Sequence, residues 1–373
     1  MRCRRVVFIA VLAAFAAAGL AARCDAQDLA AVAECDRLVA SPFDPSRPAN
    51  VPGVDPDHIN SARAIEFCQA ALSERPGDSH LKFQLARAIF AAKDYERALI
   101  LYREALDAGS ALAANNLAAM YADGLGVAKD EGLAVRLYGK AADGGISLAL
   151  NNLAAMYADG RGVEKDEPEA VRLYTKAADM GLPLAMANLG GMYLDGRGVA
   201  KDDVAAARFY RRAADAGFVR AIADLGWMYE HGRGVQQDDV EAVRLYRRAA
   251  DAGNAWAIGS LGLMYENGRG VQKDDAEAVR LYRKAMEAGS IAAARYLGTM
   301  YAYGKGVSED ANEAVRLWRQ AADSGDAVAM YDLGVMTESG RGIRRNLDDA
   351  RRWYERAAER GNEDARKALA RLR

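Results

Sequence analysis

The chain has 373 residues, with 50 lysines and arginines against 52 aspartates and glutamates, a formal net charge of −2. That balance excludes a nucleic-acid binder working through a strongly basic face. Its three histidines, His58, His80 and His231, are not spaced as a metal site, and no metal or other cofactor is expected.

Residues 1–26 read as a secretory signal. Arg2, Arg4 and Arg5 precede a 17-residue apolar run from Val6 to Ala22, and Arg23 and a small-residue site follow. Cleavage is expected near Ala26, with Cys24 and Ala26 at the small positions. An uncleaved anchor is the alternative, since the run stands at the lower limit for a membrane span. Removal of this segment leaves 46 basic and 51 acidic residues, and no second apolar run of membrane length. The mature protein is therefore expected to be periplasmic or secreted, without a membrane span. Cys35 and Cys68 are then its only cysteines and form one possible pair. In an oxidising compartment they are expected to bridge, and closing that loop would stabilise by roughly 3–4 kcal/mol in the chain-entropy model. Two unpaired buried thiols are the alternative.

Residues 27–59 comprise a short helix over 27–40 and a connector holding Pro42, Pro45, Pro48, Pro52 and Pro56, a density that predicts an extended, stiff strap. Residues 60–109 are helical in pattern. Leu85, Ala86 and Ile89, then Ala98, Tyr102 and Ala105, resemble a tetratricopeptide repeat, and Ala64, Cys68, Ala71 and Pro76 resemble the second half of another. They are expected to cap a longer array that begins at Ser110.

Residues 110–361 are a 36-residue unit written seven times without insertion or deletion. Glycine recurs from Gly109 to Gly361, and methionine from Met120 to Met336, at that step. Such a period belongs to solenoids, whose units cannot bury their apolar faces alone. In the first unit Ala113, Leu117, Met120 and Tyr121 share one face of a helix A, and Ala134, Leu137, Tyr138, Ala141 and Ala142 share one face of a helix B. Asp123-Gly124-Leu125-Gly126-Val127 supplies a stop and a turn between them. In the last unit Thr337, Ile343 and Asn346 depart from the tyrosine, valine and aspartate of the others. Residues 362–373, rich in arginine and lysine, read as a C-terminal capping helix.

The pattern A-x-x-x-L-[AG]-x-M-Y-x-x-G-x-G-V, followed by D, A, L-[YW]-x-x-A-A and G, resembles the Sel-1-like repeat, a relative of the tetratricopeptide repeat. The resemblance implies an all-α, right-handed α/α superhelical solenoid of helix-turn-helix repeats. It also implies a non-enzymatic protein–protein interaction scaffold or adaptor of the bacterial cell envelope, regulatory in role. A cell-wall or β-lactam hydrolase and a secreted effector that binds host proteins are the alternatives. Ser79-His80-Leu81-Lys82 spells the Ser-x-x-Lys of penicillin-recognising enzymes, but its companion motifs are missing from the sequence. Loops such as Gly268-Arg269-Gly270 follow a helix and recur seven times, which marks turns rather than phosphate cradles. The arginine column Arg136, Arg172, Arg208, Arg244, Arg280, Arg316 and Arg352 reads as a solvated face laced with ion pairs.

By analogy with tetratricopeptide arrays, the inner face of helix A is expected to form a groove for a protein partner. Its positions are small or polar in the first two units, as at Asn115 and Asn151. Later units carry Arg220, Trp227, Glu230, His231, Trp256, Glu266, Arg295, Tyr303 and Tyr331, residue types that commonly anchor interfaces. Asn151→Ala is expected to be nearly silent in both folding and binding.

Overall fold

The computed structural model describes residues 30–44, 47 and 49–372; the expected signal segment lies outside them. The described residues contain helices and no strand. They divide into two compact units, one through Leu189 with 197–200, the other comprising 190–196 and 201–373.

In the first unit residues 30–39 form helix α1. It is followed by α2 (Ser61–Glu74), α3 (Ser79–Ala91), α4 (Tyr95–Asp107), α5 (Ala111–Asp123), α6 (Glu131–Asp143), α7 (Ser147–Asp159) and α8 (Glu167–Asp179). Cys35 of α1 and Cys68 of α2 stand at disulfide distance, sulfurs 2.05 Å and Cα atoms 4.9 Å apart. The proline-rich connector is not the extended strap its composition predicts. It turns back, so that the Val54 amide donates to the Ala40 carbonyl at 2.8 Å. The buried Arg87 guanidinium fixes that return by donating to the carbonyls of Val39 and, at 2.6 Å, Val54. Leu81, Phe83, Ile89 and Tyr102 pack with Cys35, Cys68 and Leu117 in the core beneath.

The boundary between units falls within α9 (Pro183–Asp195). The second unit continues with α10 (Asp203–Asp215), α11 (Val219–His231), α12 (Asp239–Asp251), α13 (Ala255–Asn267), α14 (Asp275–Glu287) and α15 (Ala292–Tyr303). It closes with α16 (Ala311–Asp323), α17 (Ala327–Ser339), α18 (Leu347–Glu359) and α19 (Glu363–Arg371). Each helix packs chiefly on the next in sequence. Its core is a column of Tyr282, Trp318 and Tyr354 against Leu297, Met300, Leu333 and Met336. The two units thus contain the helix-turn-helix repeats of an all-α solenoid.

Local chemistry explains the regularity. An aspartate caps each helix B, for example Asp202 accepting from the Ala205 amide, and Asn346 keeps the role where the last repeat departs. The loop glycines differ in function. Gly232 ends α11 at φ 62°, a left-handed conformation that glycine adopts without strain. Gly234 also has positive φ, and a Cβ there would lie 1.9 Å from the Asp203 carbonyl oxygen, so this position is where one hairpin abuts the last. In four repeats the residue between the two glycines is an arginine that reaches back about one repeat to the acid that starts the preceding helix B. Arg161 meets Glu131 at 3.0 Å in the first unit, and Arg269 meets Asp239 at 2.7 Å in the second. The glycine-rich loops are turns that staple neighbouring hairpins.

Candidate functional site

The helix A face carries a cleft in each unit at the same register. In the first unit it has a volume of about 230 Å³ and is lined by Tyr102, Asn116, Ala119 and Leu148, together with Arg87, Phe90 and neighbouring amides. In the second it has about 200 Å³ and is lined by Leu194, Tyr210, Asp224, Trp227 and Trp256. Tyr210, Asp224, Trp227 and Trp256 stand three 36-residue periods after Tyr102, Asn116, Ala119 and Leu148. Both recesses lie where a helix B tyrosine meets two successive A helices, and the side chains at that register decide their chemistry.

In the first unit that chemistry is amide. The Asn116 amide donates to the Tyr102 hydroxyl at 3.0 Å, Asn152 to the Asn115 side chain at 3.4 Å, and Asn188 to that of Asn151 at 2.9 Å. Asn115 and Asn151 are only 6% and 4% exposed. These asparagines form a polar ladder joining successive A helices along the back of the recess.

In the second unit the recess is aromatic and acidic. Trp227 stacks on His231 with ring centroids 4.6 Å apart, and the Arg233 guanidinium lies 5.6 Å from the Trp227 ring centroid. Trp256 meets the Tyr246 ring edge-on at 5.7 Å and is still 45% exposed. Among the described residues Asp224 receives no hydrogen bond, and Arg220, with Nε 3.7 Å from its Oδ2, is its ion-pair partner. Burial pushes the Asp224 carboxyl up to about 6, against the opposing pull of Arg220. Asp332, three periods on, is likewise pushed up to about 6 by burial, with Arg295 opposing.

The remaining residues expected in the groove have varied surroundings. Glu230 accepts from the Tyr246 hydroxyl at 2.7 Å and from Arg269 at 2.8 Å. Glu266 accepts from Tyr282 at 2.8 Å and Lys305 at 3.3 Å. Both glutamates tie one hairpin to the next, a contact between residues 16 and 39 positions apart that helical periodicity does not reveal. Glu338, which the sequence reading passed over, makes the same tie to Tyr354 and Arg371. Arg295 pairs with Asp326 at 3.1 Å and lies 4.0 Å from the Tyr296 ring centroid. Tyr331 tilts onto Tyr354 at 5.7 Å, whereas Tyr303 is 64% exposed and Arg220 is exposed at the start of α11. The structure thus brings Trp227 and Trp256 together and adds Leu194, Tyr210 and Asp224, which sequence reasoning missed. The available signal was an aspartate replacing the asparagine of the three preceding repeats.

On the helix B face, Arg172, Arg244, Arg280 and Arg316 each pair at 2.6 Å with a glutamate one turn earlier. Lys82 of the Ser-x-x-Lys sequence pairs with Glu104 at 3.0 Å, and His80 meets Asp36 at 2.7 Å. Among the described residues no cluster of His, Cys, Asp or Glu is placed to hold a metal ion, and no helix is long and apolar enough to cross a membrane.

The Sel1 repeat model matches eight segments: 89–110, 111–146, 147–182, 183–218, 219–254, 257–290, 291–326 and 327–362. The first covers α4, where Ala98, Tyr102 and Ala105 occupy the positions of Ala134, Tyr138 and Ala141 one period later. Two solved structures are similar over most of the chain. One is c5321, a protective antigen of uropathogenic Escherichia coli with an SLR fold: 30% identity, 83% of this chain and 67% of that one, TM-score 0.68. The other is a Sel1 repeat protein from Oxalobacter formigenes: 29% identity, 83% of this chain and 90% of that one, TM-score 0.61. No curated protein matches the sequence.

Proposed function

The chain belongs to the Sel1 repeat family, whose repeats generally mediate protein–protein interaction, and on that premise we propose that it is a non-enzymatic interaction scaffold of the bacterial cell envelope. It holds a protein partner against the helix A face of the second unit, with the recess around Trp227 and Trp256 as the anchor. The observation that carries this reading is the pair of indoles converging on one cleft at positions that are alanine and leucine three periods earlier. Large aromatic residues at the rim of a recess are the usual energetic centres of protein interfaces. A role in organising or restraining an envelope complex fits the leader expected at residues 1–26 ahead of a repeat array.

The test is capture of a partner from a periplasmic extract. Trp227→Ala and Trp256→Ala should each weaken capture by about 1–3 kcal/mol while leaving helix content unchanged. Arg280→Ala, on the helix B face, should leave capture intact. If Arg280→Ala weakens capture and neither tryptophan variant does, the working face is helix B and the assignment is wrong.

A further inference from the structure

We propose that the second-unit cleft is a receptor for a single arginine side chain of the partner, its guanidinium held between the Trp227 and Trp256 indoles and paired with the Asp224 carboxylate. This deepens the reading of the helix A face as a protein-binding surface and rests on it.

Size is the first argument. A recess of about 200 Å³ is smaller than the roughly 300–1,000 Å³ of small-molecule sites. It suits one long side chain.

Charge and geometry supply the second. Asp224 is a partly buried carboxylate whose one ion-pair contact among the described residues is long, at 3.7 Å. Its side chain is 27% exposed, so an incoming cation can reach the carboxylate without entering the core, and a partly desolvated anion gains from a second, closer cation. Burial raises its pKa to about 6, and Arg220 only partly opposes that shift. The facing groups are the Tyr210 ring, the two indoles and the exposed Arg220. Indole faces attract cations, and a planar, weakly hydrated guanidinium stacks on them better than an ammonium does.

Register supplies the third. The position of Asp224 is Asn116, Asn152 and Asn188 in preceding repeats and Ser260, Tyr296 and Asp332 in following ones. The position of Trp227 is alanine, alanine and glycine before it, then leucine, threonine and valine. Carboxylate and indoles coincide in one repeat only. Arg220 then acts as a resident competitor: a tethered cation at the rim that the incoming arginine displaces.

The probe is Nα-acetyl-L-arginine N-methylamide, titrated into the full chain with indole N–H resonances observed by NMR. The neutral citrulline analogue serves as isostere. The chain has four tryptophans, so the Trp227 and Trp256 signals can be assigned by single Trp→Phe variants. The arginine probe should shift those two signals saturably at about millimolar concentration, and the citrulline analogue should not. Asp224→Asn should weaken the probe about fivefold or more, and Arg220→Ala should strengthen it about twofold to fivefold by removing the competitor. Equal response to citrulline, an unchanged Asp224→Asn variant, or weakening in Arg220→Ala would each overturn the proposal. Partner capture separates the two readings. Dependence on the tryptophans without dependence on Asp224 leaves the interaction face standing and removes the arginine. Independence from the tryptophans removes the interaction face itself.

Discussion

Asp224 and Asp332 occupy the same register three periods apart, and burial pushes both up to about 6 from an ordinary 3.8. The native state therefore holds these protons more tightly than the unfolded chain. Each group's contribution is fully present below about pH 4 and is lost as pH rises through 6. A shift of that size corresponds to at most about 3 kcal/mol per site. Asp224→Asn and Asp332→Asn should consequently raise the unfolding temperature at pH 7.5, by a few degrees each, with the gain vanishing by pH 3.5. A gain of equal size at both pH values would mean that neither carboxylate is buried as described. The sequence made Trp227 and Trp256 legible, because wide side chains stand out against a column of small ones. Asp224 was not legible, since an aspartate on a helix face looks solvated until the rings around it are placed. The ties made by Glu230 and Glu266 were not legible for the converse reason: their hydroxyl and cationic partners lie outside their own helices.

At the scale of helices, the turns, caps and hairpin pairing followed from glycine, aspartate and alanine spacing, because those signals are local. The links between hairpins did not, because they join residues on different helices, 14 to 39 positions apart. The asparagine ladder shows the difference. Asn151 looked like an inert position, yet it is 4% exposed, donates to Asn152 at 3.3 Å and accepts from Asn188 at 2.9 Å. Asn151→Ala leaves the Asn188 amide without that acceptor and should cost about 1–3 kcal/mol in urea unfolding. Arg280→Ala, which breaks an exposed pair with Glu277, should cost no more than about 1 kcal/mol. Equal losses in the two variants would show that the ladder does not hold the A helices together. The proline connector was misjudged at this scale too: composition predicted stiffness, whereas the Arg87 guanidinium draws Val39 and Val54 into a return.

Across the whole molecule the 36-residue period was the most legible feature of all, since repetition without insertion leaves the register of every later residue fixed. It also determines how the second unit bears load. Its helices pack chiefly on their sequence neighbours, and its loop arginines reach back one hairpin, as Arg233 does to Asp203 and Arg269 to Asp239. Such links are in series, so a pull on the two ends strains every junction equally and the weakest yields alone. Each event frees one 36-residue period, about 120–130 Å of contour at 3.3–3.6 Å per residue. Single-molecule stretching should therefore give a ladder of equal steps near that length, whereas one rip releasing the whole unit would show that its hairpins break together. A series of junctions that yield one at a time makes the array a shock absorber: under tension it lengthens by a repeat while the remaining recesses keep their walls.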